Sequence, residues 1–326
     1  MNAPSGWRGH LDKLALLSLL VMTMLWGSTF VILKDLLTRI GTSDLLAVRF
    51  AIAALVLVAV AGKRVRPTRR LLIDGTIAGL FYSSGQLLQT YGLARTSVSI
   101  SGFLTGLYVV MTPIIEAMLL RARVSRRVWS AVALATLGLG ILTVSPATGT
   151  TRFGLGELLT VLSALAYAGH IVWTGRVSTP ETSLGLSTVQ TVVIAIMCAA
   201  AAAPGGIVMP DRAGDWIAIV YLATCCGALA VFLQVWAQSR VDATRAAIVM
   251  SFEPIWAAAF AIALGMETFG WRTAAGGAAL VAAMIVSSIP RRTPAGAIPP
   301  TGELHAVRDA RDACRGRPPT SSGSVS

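Results

Sequence analysis

The run LALLSLLVMTMLWGSTFVIL (Leu14–Leu33) decides the fold class, because it contains no charged side chain over its whole length. A bilayer core about 30 Å thick is spanned by roughly 20 apolar residues of α-helix. The run follows Lys13, is too long for the apolar part of a secretory signal, and lacks an A-x-A cleavage site. It is therefore predicted to remain in the protein as a membrane-spanning helix.

Nine further apolar runs follow along the chain. Hydrophobic residues make up 55% of the sequence and charged residues 13%, which is too little charge to cover the surface of a soluble domain of this length. The prediction is an all-α, polytopic membrane protein with ten transmembrane helices. The nine further runs are Asp44–Gly62, Ile73–Gly92, Val98–Leu120, Val128–Ser145, Gly154–Thr174, Leu184–Ala203, Asp215–Ala237, Ala243–Gly265 and Trp271–Ile289.

The net charge of +12 does not indicate a nucleic-acid partner, because the basic residues form short clusters between apolar runs. With residues 1–13 in the cytoplasm, the inner segments before residue 291 hold 14 Lys or Arg and the outer loops hold 6. This bias predicts that both termini are cytoplasmic in an inner-membrane protein. Residues 291–326 are rich in Pro, Gly, Ser and Arg without apolar periodicity, so a disordered cytoplasmic tail is expected.

The two halves of the chain, 14–145 and 146–290, resemble each other. LQTYGLAR (Leu88–Arg95) matches LQVWAQSR (Leu233–Arg240), and each precedes a polar turn and a run with an internal proline. Because each half holds five predicted helices, the second half begins on the opposite side of the membrane. Two inverted five-helix repeats with a site between them are a recurrent plan of secondary transporters. A gene duplication without transport is the alternative.

Five segments of the chain share their residue pattern with a known family: Thr96–Pro113, Ala243–Pro254, Leu264–Glu267, Leu25–Phe30 and Leu46–Phe50. They resemble EamA-type members of the drug/metabolite transporter superfamily, over roughly residues 14–289. That resemblance implies ten helices in two repeats and the movement of metabolites across a membrane. One departure is the basic stretch RARVSRR after the fourth run, where many members carry a Glu like Glu267.

Polar side chains form a stripe on the fourth run and another on the sixth. Steps of three and four residues place the members of each stripe on one helix face. They could line a hydrated path, or the Ser and Thr residues could hold helices together. The stripes are Ser101, Thr105, Tyr108, Thr112 and Glu116 in the fourth run and Ser163, Tyr167, His170 and Thr174 in the sixth.

Glu253 lies near the middle of the ninth run, directly before Pro254. A proline in a helix removes one backbone hydrogen bond, here freeing the carbonyl near Met250. A buried carboxyl group can carry a proton or pair with a cationic substrate, and intramembrane ionisable residues are functional candidates by default. A neutral, hydrogen-bonded Glu that supports the kink is the alternative.

Glu116 is a second candidate for proton coupling, one helical turn after the helix-kinking Pro113, although it also lies near the cytoplasmic headgroups and Arg121. Arg49 lies near the outer end of the second run, where snorkelling to the interface is the favoured interpretation and pairing with a carboxylate substrate is the other. Amide side chains can hold polar groups without a charge. The predicted substrate-binding or path-lining residues are Trp26, Gln86, Gln89, Thr105, Tyr108, Tyr167, His170, Gln190, Gln234 and Glu253.

The predicted function is secondary transport of a small metabolite or drug-like molecule by alternating access, in the direction of efflux. A passive facilitator or channel of the same fold is the alternative, followed by an integral-membrane enzyme acting on lipids. No phosphate-binding loop, nucleophile elbow or metal-ligand spacing is found, so no cofactor and no metal are expected. The expected partners are the lipid bilayer and one small substrate, and the sequence does not distinguish a monomer from a homodimer.

Overall fold

The computed structural model is all-helical. It describes residues 5–119, 126–143, 153–241, 246, 249–250, 252–268 and 270–288, and these residues contain no β-strand. The predicted tail therefore lies outside the described residues. The helices are α1 (Ser5–Leu36), α2 (Thr42–Ala61), α3 (Arg69–Leu93), α4 (Val98–Thr105), α5 (Tyr108–Leu119), α6 (Arg126–Thr143), α7 (Leu155–Val177), α8 (Ser183–Ala202), α9 (Ala213–Ala223), α10 (Ala230–Gln238), α11 (Glu253–Ala263) and α12 (Trp271–Ser288).

Within the described residues, six helical stretches are long and apolar enough to cross a membrane. Their outer faces carry large apolar side chains, such as Leu55 at 70% exposure and Ile217 at 74%. Exposed apolar side chains of this density fit contact with lipid rather than water. The chain is therefore a multi-pass membrane protein. The six stretches are Lys13–Leu36, Thr42–Arg64, Val98–Leu119, Leu155–Val177, Ser183–Gly205 and Ala213–Gln238, and shorter apolar helices cover Trp129–Gly138, Glu253–Ala263 and Trp271–Val286.

The fourth and ninth predicted runs are both interrupted. The fourth divides into α4 and α5 at Gly106–Leu107, ahead of Pro113 within α5. In the ninth run α11 begins at Glu253, so Glu253 lies at the first residue of a helix and not in the middle of one. Pro254 explains why the helix begins at Glu253, because proline has no backbone N–H to donate and fits best in the first helical turn.

The eighth run contains a π-helical segment, Thr224–Leu229, between α9 and α10. Such wider turns are rare in helices and occur frequently at functional sites. The indole of Trp26 donates from Nε1 to the Cys226 carbonyl at 3.1 Å, which ties α1 to this segment.

The helices of the two halves pack against each other in exchanged pairs, which means that each contact recurs between the equivalent helices of the other half. α3 packs on α7 and α1 on α10, while α1 packs on α11 and α5 on α7. The pairs α2–α8 and α6–α12 join equivalent positions of the two halves. Gly79 of α3 permits one close approach, since a Cβ there would lie 2.6 Å from the Val193 Cβ of α8. The core is thus shared by both halves of the chain.

Candidate functional site

A narrow cavity, with about 30 Å³ reachable by the centre of a water molecule, lies between the two halves of the bundle. Its walls come from α1, α2, α3, α4, α5, α7, α10 and α11 and are largely apolar or aromatic, with a few convergent polar groups, as in many small-molecule sites. The lining residues are Trp26, Thr29, Phe30, Leu33, Arg49, Tyr82, Gln86, Gln89, Leu93, Thr105, Tyr108, Tyr167, His170, Ile171, Gln234, Met250 and Glu253.

Glu253 and Tyr108 bring the two helix breaks together at this cavity. Glu253 is 3% exposed, and the Tyr108 hydroxyl donates to its Oε2 at 2.7 Å. The same hydroxyl lies 3.3 Å from the carbonyl oxygen of Met250, four residues before Pro254. That carbonyl is the one that a proline at 254 leaves without its helical donor. A single hydroxyl hydrogen therefore has two acceptors, a carboxyl group and a freed backbone carbonyl.

A chain of hydrogen bonds joins α3, α7 and α4 along another wall. Gln86 Nε2 donates to the Tyr167 hydroxyl at 2.7 Å, which donates in turn to Gln89 Oε1 at 3.0 Å. Gln89 Nε2 then donates to Thr105 Oγ1 at 3.1 Å. Because all four side chains are buried, these bonds fix the ring of Tyr167 at the cavity wall.

Arg49 does not snorkel to the membrane interface, contrary to the favoured sequence interpretation. Its side chain is 1% exposed and lines the cavity. Nε donates to the Leu222 carbonyl at 3.3 Å, and the guanidinium carbon lies 4.9 Å from the centre of the Phe50 ring. The backbone of α9, just ahead of the π-helical segment, thus holds the arginine inside the bundle. An arginine within an apolar run was the signal that should have placed it in the site.

A second cavity, with about 200 Å³ reachable by the centre of a water molecule, adjoins the first and shares Tyr108, Ile171 and Met250 with it. Its remaining walls include Thr112 and Glu116 of α5. Arg176 and Gln238, at the ends of α7 and α10, also line this cavity. The cavity therefore lies towards one end of the bundle, which we call the Glu116 end. Tyr108 therefore separates the first cavity from a wider, more polar one.

Polar contacts join the helices at the opposite end, which we call the Lys34 end. Lys34 Nζ donates to the carbonyl oxygens of Leu93 at 2.8 Å and Thr96 at 2.7 Å. Glu267, in the segment after α11, accepts the backbone N–H of Ser99 at 3.0 Å. These contacts tie α1 to the end of α3 and to the α3–α4 connection, and they tie the segment after α11 to the first turn of α4.

The loop after α1 is also fixed at the Lys34 end. Arg39 donates to Asp35 at 2.6 Å and to Asp215, in the first turn of α9, at 2.9 Å. These hydrogen bonds raise the pKa of the Arg39 guanidinium above its ordinary value. Thr96 donates to Glu157 near the start of α7, so the α3–α4 connection is held as well.

Nine of the ten predicted lining residues are at the first cavity, and the tenth, Gln190, lies behind His170 with its Oε1 2.8 Å from His170 Nε2. Glu116 lines only the second cavity. The Ser163 hydroxyl does not line either cavity and donates to the Thr160 carbonyl, as expected of a residue that only supports its helix. Sequence reasoning gave Arg49 a place in the site only as the less favoured alternative, and it did not name Tyr82. Among the described residues no cluster of His, Cys, Asp or Glu could hold a metal ion.

Fold and cavity together define a multi-pass helical membrane protein with a buried cavity lined by both halves of the chain. The sequence model of the EamA-like transporter family matches the chain twice, at residues 13–144 and 154–289. The chain therefore belongs to the EamA-like transporter family, and the EamA domain occurs in it twice, which confirms the resemblance read from the sequence.

Similarity to individual proteins supports the same family. An uncharacterized transporter of Archaeoglobus fulgidus is 28% identical over 252 residues, which cover 77% of this chain and 78% of that protein. One crystal structure matches with a TM-score of 0.63 at 18% identity, over 84% of this chain and 96% of the other. At that identity the structural likeness concerns the fold alone.

Proposed function

We propose that the protein is a secondary transporter that exports a small metabolite or drug-like molecule across the cytoplasmic membrane. The observation that carries the proposal is the first cavity, which is lined by both halves and lies between the polar helix contacts of the Lys34 end and the second cavity at the Glu116 end. A site between repeats with access from one end at a time is what alternating access requires.

Ten membrane crossings in two inverted repeats are the topology that we propose. The Lys34 end gathers the last turns of α1, α3 and α11 and the first turns of α4, α7 and α9. That arrangement supports alternating crossings, in which α1 and α7 enter from opposite sides. The exchanged packing pairs of the two halves support the same pseudosymmetry.

The orientation is a testable expectation. The loop charges favour cytoplasmic termini, which puts the Glu116 end in the cytoplasm and the Lys34 end outside. A topology reporter fused after Ile289 should report a cytoplasmic position, and the same reporter inserted within Ala147–Arg152 should report an external one. Equal signals from the two fusions, or an external C-terminus, would contradict ten crossings.

Alternating access is proposed to occur at the two interrupted helices. α4 packs on α11 on the Lys34 side of Tyr108, whereas Tyr108 and Met250 border the second cavity on the other side. Separation of α4 from α11, with closure of the second cavity, would expose the first cavity to the outside. The helix breaks beside Tyr108 and Glu253 are where the backbone can absorb such a change.

Glu253 is proposed as the proton site that couples transport to the pH gradient. When its carboxyl is ionised, the hydroxyl hydrogen of Tyr108 is attracted to Oε2. When the carboxyl carries a proton, it can donate to the Tyr108 oxygen, which leaves the Tyr108 hydrogen for the Met250 carbonyl. The proton would thereby alter the contact between α5 and the break before α11.

Untargeted metabolite profiling tests the transport proposal even though the substrate is not yet identified. Cells overproducing the wild-type protein should release at least one small metabolite into the medium in excess of cells lacking the gene. The excess should be smaller in cells producing Glu253→Gln at equal membrane abundance, because that variant is expected to keep only movement of the metabolite down its own gradient. An unchanged medium composition in the overproducing cells would contradict export. Accumulation inside those cells instead would reverse the proposed direction.

A further inference from the structure

The guanidinium group of Arg49 has N–H donors that the described residues of the protein do not pair. Its Nη1 has no acceptor among the described residues, although the side chain is 1% exposed and lines the first cavity. Only Nε makes a described hydrogen bond, to the Leu222 carbonyl. A buried guanidinium with an unpaired donor is unfavourable, because its interaction with water has been lost without replacement. The site therefore offers a charged donor to whatever occupies the cavity.

The charge balance of the cavity indicates the sign of that ligand. Arg49 and Glu253 are the basic and acidic side chains of its lining, apart from the His170 ring, which is paired with Gln190. No described ion pair joins Arg49 to Glu253. The other titratable groups that face the cavity are the hydroxyls of Tyr82, Tyr108 and Tyr167. With a proton on Glu253 the lining carries one net positive charge, which a single negative charge would neutralise.

The remaining walls indicate the body of the ligand. The cavity that Arg49 lines also has an apolar and aromatic surface, formed by Trp26, Phe30, Leu33 and Tyr82. A carboxylate carries one negative charge and matches the fork of guanidinium donors, whereas a phosphate ester brings more charge than one arginine neutralises. The oxygens of the Gln86 and Gln234 amides also lack described donors, so they can accept an O–H or N–H of the same molecule.

We propose that Arg49 binds the carboxylate of the transported substrate, so that the substrate class is small carboxylates with an apolar or aromatic body. As a statement about a substrate, this rests on the proposed function. Its test measures binding alone and is therefore independent of transport. Binding without any flux would remove the transport proposal and leave the carboxylate site, whereas flux of a metabolite without a carboxylate would do the reverse.

The experiment is a thermal-shift titration of the purified, detergent-solubilised protein with matched probes. The probes are benzoate, 3-phenylpropionate, 3-phenyllactate and 4-methylpentanoate, each paired with its primary amide. The variants are Arg49→Gln, Arg49→Lys and, as the control, Arg95→Gln, which removes an exposed arginine at the Lys34 end. At least one carboxylate should stabilise the wild type and Arg95→Gln, and its amide should not.

Arg49→Gln should weaken the apparent affinity for that carboxylate by about 30-fold or more, the loss expected when one partner of a buried charge pair is removed. The apparent affinity of Arg49→Lys should lie between those of the wild type and Arg49→Gln, since lysine keeps the charge and loses the planar fork. If Arg49→Gln does not fold, the Lys variant and the comparison of acid with amide in the wild type decide the question. Equal stabilisation by acid and amide, wild-type affinity in the Arg49 variants, or no response to any of the carboxylates would overturn the proposal.

Discussion

Proteoliposomes containing Glu253→Gln are expected to lose accumulation driven by a pH gradient while they retain exchange of substrate down its own gradient. Gln keeps the size of the side chain and can still accept the Tyr108 hydrogen bond, but it has no ionisable proton. Because Glu253 is buried where the two interrupted helices meet, that proton is the one we expect to respond to the gradient. The measurement is flux of the metabolite identified by profiling, with and without an imposed pH gradient, normalised to folded protein.

Glu116→Gln is the matched control for this prediction. Glu116 is a carboxylate on the neighbouring α5, but it lies only at the second cavity and is partly exposed. Gradient-driven flux should survive its substitution. Loss in Glu116→Gln with retention in Glu253→Gln would move the proton site to Glu116. A substrate-binding Glu253 would lose both gradient-driven flux and exchange in Glu253→Gln, and a merely structural one would lose neither.

A covalent link between α4 and α11 is expected to stop transport completely. A Cβ on Gly102 would lie 2.9 Å from the Cβ of Ala257, close enough for a disulfide after a small adjustment. In a background with the four native cysteines replaced by Ala, oxidation of Gly102→Cys/Ala257→Cys should hold the Lys34 end closed. Flux should fall to the level of protein-free liposomes and return when a reductant is added.

The chain offers a control crosslink of nearly the same geometry. A Cβ on Gly138 of α6 would lie 3.1 Å from the Cβ of Ala279 of α12, and these helices lie outside the proposed gate. Oxidised Gly138→Cys/Ala279→Cys should therefore transport like its reduced form. If the α4–α11 crosslink forms fully and flux continues, the proposed gate is wrong. Inhibition by both crosslinks would indicate that the whole bundle must deform.

The polar stripes show what helical periodicity can predict. Thr105, Tyr108, Tyr167 and His170 were expected to face a common space because steps of three and four residues put them on single faces, and all four line the first cavity. The freed carbonyl at Met250 was also expected from Pro254. Its partner could not be predicted, because only the packed structure brings the hydroxyl of Tyr108 within 3.3 Å of it.

Arg49 shows where one-dimensional reasoning fails. Its distance from the end of an apolar run favours snorkelling, whereas the acceptor that keeps it inside is the Leu222 carbonyl, 173 positions away. The break at Gly106–Leu107 was missed for a related reason. Three-residue backbone bonds tighten the helix there, such as Leu107 N–H to the Leu104 carbonyl at 3.1 Å, and the apolar pattern of the fourth run continues unchanged through them.

The most direct test of gradient-coupled transport uses the wild-type protein alone. Proteoliposomes are prepared with equal concentrations of the profiled metabolite on both sides, and a pH gradient is then imposed. The account predicts net movement of the metabolite, reversal of its direction when the gradient is inverted, and no movement in the presence of a protonophore. Rapid exchange of labelled metabolite without net movement under either gradient would contradict it, and would identify the protein as a passive facilitator.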